Sequence, residues 1–119
     1  MQVTHIGLPV RDVGRSVAFY ATHFGFDPAT ATTYGDGTVL VRNPDAFDLA
    51  LHPDTTVHGP LHPFLHVGFR LDDPSAVRAV AADLRTGGVE IVESWDEPGY
   101  VAVKCADPDG HRVEVYWET

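Results

Sequence analysis

Residues 3–10 alternate, with Ile6, Leu8 and Val10 on one side and His5, Gly7 and Pro9 on the other. That period of two predicts a strand with one apolar face. The period then changes. Asp12 is placed to cap a helix, and Val13, Val17, Tyr20 and Phe24 recur at helical spacing until Gly25 stops it. Short β segments cut by turns follow at 29–34, 38–42 and 47–52, with Asp36-Gly37 as a hairpin signal. The same order then returns. A strand around His66 leads to Asp73 as cap and Pro74 at the first helical position, with Val77, Val80 and Leu84 as the stripe and Gly87-Gly88 as the stop. Strands at 89–94, 100–105 and 111–117 complete the second round, with Asp109-Gly110 as another turn signal.

The repetition extends to individual residues. His5-Ile6-Gly7 through Asp12 and His66-Val67-Gly68 through Asp73 share the pattern H-x-G-x-x-x-x-D, 61 residues apart. Asn43-Pro44-Asp45 precedes the apolar run of residues 47–51 as Asp107-Pro108-Asp109 precedes that of 111–115, at an offset of 64. Two copies of a unit of strand, helix and three strands are expected. Module 1 spans about residues 1–53 and module 2 about 63–119, joined by a Pro- and His-rich linker at 53–63, all within a single domain of α+β class with antiparallel character.

Alternation also sorts the polar groups. Ile6 and Leu8, Leu49 and Leu51, Val67 and Phe69, and Val113 and Val115 form faces able to bury against a helix. The opposite faces carry His5; His66 with Arg70; Arg112 with Glu114 and Tyr116; and Ala50 with His52. If the two units pack as pseudo-symmetric partners, His5 and His66 are equivalent, as are Ala50 and Glu114. Two imidazoles and one carboxylate then converge, which is the ligand set of a facial triad with open positions for water or substrate. Tyr100, Lys104, Arg112 and Tyr116 lie on the same faces as acid, base or oxyanion partners. No residue is assigned to the bond-making step itself. His23, His58, His62 and His111 lack a repeated counterpart and read as surface residues, while Cys105 reads as inert core.

Composition narrows the partners. The 119 residues carry 8 Lys and Arg against 17 Asp and Glu, a net charge of −9, which argues against nucleic acid or an anionic membrane surface. One cysteine excludes an internal disulfide and a cysteine-cluster zinc site. No apolar run approaches a membrane span and no leader pattern opens the chain, so the expected compartment is the cytoplasm. Half-open sheets of this size leave edges and a concave face that a homodimer would cover.

The segments HIGLPVRDVGRSVAFYATHFGF, LHVGFRLDD and DPDGHRVEVYWE resemble the vicinal oxygen chelate superfamily, which includes glyoxalase I, extradiol dioxygenases, fosfomycin-resistance enzymes and bleomycin-resistance proteins. The resemblance implies two βαβββ modules forming an open, curled, mixed-sheet barrel around one divalent metal such as zinc, iron(II), manganese or nickel. It implies His5, His66 and Glu114 as metal ligands. Where glyoxalase I has a further glutamate ligand this chain has Ala50, and His52 could replace it only with a shifted metal or strand end. The expectation is therefore a metal-dependent lyase, isomerase or ring-cleaving dioxygenase other than glyoxalase I, acting on a small substrate chelated through neighbouring oxygens. Its rival is a metal-free protein that sequesters a cationic drug, with Phe64, Trp95, Tyr100 and Trp117 available for stacking. Retention of both histidines and Glu114 favours the enzyme.

Overall fold

The computed structural model describes all 119 residues, and these fall into two compact units, Met1–His58 and Gly59–Thr119. In the first, β1 (His5–Val10), α1 (Val13–Phe24), β2 (Asp27–Thr33), β3 (Val39–Arg42) and β4 (Asp48–Pro53) follow in order. In the second, β5 (His66–Arg70), α2 (Pro74–Thr86), β6 (Ile91–Glu97), β7 (Tyr100–Ala106) and β8 (Arg112–Glu118) repeat it. The sheets run β1-β4-β3-β2 and β5-β8-β7-β6. Each is mixed rather than purely antiparallel, because the strand before the helix pairs parallel with the last strand of its unit. A helix crossover is what a parallel connection requires.

Local chemistry explains why both units fold alike. Asp12 and Asp73 are extended N-caps whose carboxylates accept from the Arg15 and Ala76 amides, satisfying donors that a helix start leaves free. Before the last strands, the Oδ1 of Asn43 accepts from the amides of Asp45 and Phe47, and the Oδ1 of Asp107 accepts from those of Asp109 and His111. The repeated Asx-Pro-Asp signature is thus one turn made twice. Bulges interrupt β2 and β6 alike.

The core follows the predicted faces. Tyr20 of α1 and Leu49, Leu51 and Val41 of its sheet are buried. Val77, Ala81 and Leu84 of α2 are buried as the helix packs on β7 and β8. Cys105 is fully buried, and burial pushes its thiol up to about 12, so it is inert as a nucleophile. One expectation is corrected: His111 is only 6% exposed, because the Asp107 turn folds its backbone inward. No helix is long and apolar enough to cross a membrane.

Candidate metal centre

The parallel pairing of β5 with β8 sets His66 opposite Arg112 and Gly68 opposite Glu114. The His66 Nε2 lies 3.4 Å from the Glu114 Oε2, both side chains being largely covered. The other ring nitrogen, Nδ1, is 2.6 Å from the Phe64 carbonyl oxygen. A carbonyl can only accept, so Nδ1 carries a proton, and Nε2 is the nitrogen turned toward the carboxylate. Two electron-rich atoms at that distance need a proton or a cation between them.

A metal fits this donor set. Ligands each about 2.1 Å from a tetrahedral zinc stand about 3.4 Å apart. An imidazole fixed through its far nitrogen by a carbonyl is the usual arrangement behind a metal-bound histidine. The second carboxylate oxygen, Oε1, accepts from the Tyr100 hydroxyl at 3.4 Å. Burial first, and Glu114 second, raise the Tyr100 pKa, so the phenol stays a donor.

Gly68 makes room for this pair. A Cβ there would stand 3.3 Å from the Glu114 Oε2 and 3.7 Å from the Tyr116 ring. Lys104, opposite Glu114 on β7 and only 7% exposed, places its ammonium 3.4 Å from Glu93 and 6.0 Å above the Phe64 ring. Arg70 donates to the Glu118 carbonyl at 3.0 Å. Tyr100, Lys104, Arg112 and Tyr116 therefore share the face of the pair, as alternation expects.

The first unit presents a different face. Ala50 sits between Gly7 and Leu40, and offers a methyl group where β8 offers Glu114. His5 is exposed and lies opposite Asp48, whose carboxylate receives a two-pronged hydrogen bond from Arg42. Arg42, with His5 adding to it, holds the Asp48 carboxyl below its ordinary range. His52 accepts from or donates to the Thr38 hydroxyl at 2.8 Å and is 3.7 Å from Asp36. The recess of this unit, about 300 Å³, is lined by Thr30, Thr32, Tyr34, Leu40, Arg42 and Asp48. No group of three or more His, Cys, Asp or Glu side chains forms a ready-made metal cage. His66 and Glu114 are brought together; His5 and His52 belong to the other unit.

Sequence reasoning missed three contributors: the Phe64 carbonyl, Gly68 as a spacer, and Glu93 as the partner of Lys104. The first is a backbone atom with no residue signature. The second was visible in H-x-G but lacked a reason until the carboxylate beside it was placed.

The model of the Glyoxalase/Bleomycin resistance protein/Dioxygenase superfamily matches residues 2–115, and the chain belongs to that superfamily. No curated protein matches it. Among solved structures it is similar to one described as a possible glyoxalase from Bacillus cereus, with 26% identity, a TM-score of 0.79 and 97% of each chain covered. The fosfomycin resistance protein FosX of Listeria monocytogenes shares the fold with a TM-score of 0.82 at 16% identity, covering 100% of this chain and 94% of that one. An antibiotic-binding protein from a Streptomyces species reaches 0.73 at 23% identity, covering 100% and 97%.

Proposed function

We propose that the protein is a divalent-metal-dependent enzyme of the glyoxalase/dioxygenase type, acting as a lyase, isomerase or ring-cleaving dioxygenase on a small substrate that presents two neighbouring oxygens. The observation that carries this reading is the His66–Glu114 pair, with Nδ1 tied back to a carbonyl and Nε2 turned to a carboxylate. His66 and Glu114 are assigned as two ligands. His5, at the equivalent position of β1, is assigned as the third, supplied by the same chain or by a second copy in a homodimer. Ala50 contributes no ligand and leaves a position for substrate or water. A bound divalent ion would supply Lewis acidity toward the substrate oxygens.

The chain's own groups do the rest. Tyr100 holds the Glu114 carboxylate by its hydroxyl and keeps its proton there. Lys104 adds positive charge beside Glu114, where developing negative charge on substrate oxygen would be stabilised. The Tyr116 ring lies beside Gly68, and the Phe64 ring stands edge-on to His66 at 5.4 Å.

The test is metal stoichiometry by inductively coupled plasma mass spectrometry. Wild type should hold about one zinc, iron, manganese or nickel per chain; His66→Ala and Glu114→Ala should lose it; and His5→Ala should weaken it strongly, since three ligands have no redundancy. Full occupancy in a His5→Ala, His66→Ala double variant would overturn the assignment.

A second reading, a metal-free drug-binding protein, is favoured by exposed aromatic surface in the second unit, where Phe64 is 74% and Trp95 51% exposed, and by the net charge of −9. The antibiotic-binding Streptomyces protein has the same fold. Tight binding of bleomycin to metal-free protein, with no metal retained on purification, would select this reading over the enzyme.

A further inference from the structure

Arg112 stands on the face of the His66–Glu114 pair, opposite His66 and two residues before Glu114 on β8. Its Nε is buried and has no hydrogen-bond partner. The other basic side chains are all engaged. Arg42 is bound to Asp48, Arg78 to Asp96, Arg85 to Ser94, Arg70 to the Glu118 carbonyl and Lys104 to Glu93. Arg11 and Arg15 have partners as well.

The internal repeat shows why Arg112 is left over. Asp48 occupies the equivalent position of β4, and its neighbour Arg42 on β3 neutralises it at 2.8 Å. In the second unit the two positions hold Arg112 and Ala106. The sign of the charge is reversed and the neighbour that would answer it has become a methyl group. A guanidinium with a buried, unanswered donor beside two metal-ligand candidates is incomplete without an anion. The Nε edge of a guanidinium presents two N–H groups that match the two oxygens of a carboxylate.

We infer that Arg112 is a specificity-determining residue that receives a carboxylate of the substrate, so that the substrate is a small carboxylic acid bearing an adjacent oxygen. This inference rests on the placement of the substrate site at His66 and Glu114. The acidic balance of the whole chain does not oppose it, because local charge at the ligand, here Arg112 with Lys104, outweighs the distant total.

The probes are glycolate, which carries a hydroxyl next to a carboxylate, and hydroxyacetamide, its neutral counterpart. Binding to zinc-supplemented full-length protein is read by calorimetry and by the ¹H–¹⁵N resonance of the Arg112 Nε–H. Glycolate should bind at least tenfold more tightly than hydroxyacetamide and should move that resonance. Arg112→Gln should remove the preference while leaving zinc stoichiometry unchanged, and Arg112→Lys should restore part of it. Equal binding of the two probes, an unmoved Nε–H, or a preference that survives in Arg112→Gln would overturn the inference. Loss of zinc binding in the wild type would instead fail the proposed function. The resonance would then be read on the metal-free chain, where a shift with glycolate supports the role of Arg112 and its absence refutes it.

Discussion

The two units are built on one plan and differ on the sheet face turned away from the helix. Register for register, Val41, Leu49 and Leu51 of the first unit match Cys105, Val113 and Val115 of the second, all buried under a helix. On the opposite face, Leu40 and Ala50 match Lys104 and Glu114, while Asp48 with Arg42 matches Arg112 with Ala106. The first unit's charges cancel each other within the sheet. The second unit's face holds a carboxylate aimed at an imidazole and a guanidinium whose Nε has no hydrogen-bond partner. A duplicated scaffold therefore keeps its core by volume and apolarity, whereas its other face is free to change in charge from one copy to the next.

The turn before each last strand offers the sharpest break. Gly110 has φ +89°, and a Cβ on it would stand 2.7 Å from the Gly59 backbone. At the matching position of the first unit Ala46 adopts φ +62°. Gly110→Ala should cost about 2 kcal/mol or more, because the left-handed strain is joined by a backbone collision that no side-chain motion relieves. Urea unfolding checks it, and an unchanged midpoint would mean that the two turns are interchangeable.

Cys105 against Val41 gives the next contrast. The folded thiol is pushed up to about 12, whereas an unfolded cysteine ionises near its ordinary value of 9.0. The raised value favours the protonated folded state, so stability is intact below pH 9 and falls as pH rises toward 12, by at most about 1.4 kcal/mol per pH unit. Cys105→Val, which makes the second unit match the first, should flatten this slope in melts between pH 8.5 and 10.5. Tyr100 contributes in the same direction from its own ordinary value of 10.0 upward.

The glycines of the two H-x-G segments separate scaffold from site. A Cβ at Gly7 meets nothing within 4 Å, whereas one at Gly68 presses on the Glu114 carboxylate at 3.3 Å. Gly68→Ala should weaken zinc affinity about tenfold, the size expected when a ligand's support is disturbed. Gly7→Ala should leave it unchanged. Competition with a chromogenic chelator measures both, and equal effects would remove Gly68 from the site.

The smallest effect is the reverse of the first. Ala46→Gly should stabilise the protein by about 0.5–1 kcal/mol, since relief of the left-handed strain outweighs the entropy of an added glycine. A loss of stability would mean that the turn is held by contacts rather than tolerated against strain.

The elements were readable because each was signalled several times over. Asp12 and Asp73 announce helix starts, Gly25 announces a stop, and strict alternation separates Leu49 from Ala50 and Val113 from Glu114. The pairing of His66 with Glu114 was legible too, through the repeat and the alternation together. What was not legible depends on pairing across strands. The parallel partner of β1 is set by a helix crossover, and the burial of His111 is set by a backbone turn. Lys104 meeting Glu93 requires the β6–β7 register, which a bulge shifts, and the lack of an acidic neighbour for Arg112 on β7 is visible only once Ala106 is known to face it. The carbonyl that orients His66 belongs to a backbone whose course no side chain announces.

The central claim is that His66 takes a metal at Nε2, beside Glu114, while its Nδ1 donates to the Phe64 carbonyl. Long-range ¹H–¹⁵N spectra of the histidine rings, recorded while zinc is added to metal-free protein, test it atom by atom. The account predicts a proton on the His66 Nδ1, and a large shift of its Nε2 that saturates at one zinc per chain, while the ring of His52, held at Thr38, does not move. A His66 Nε2 that ignores zinc while another histidine responds would contradict it.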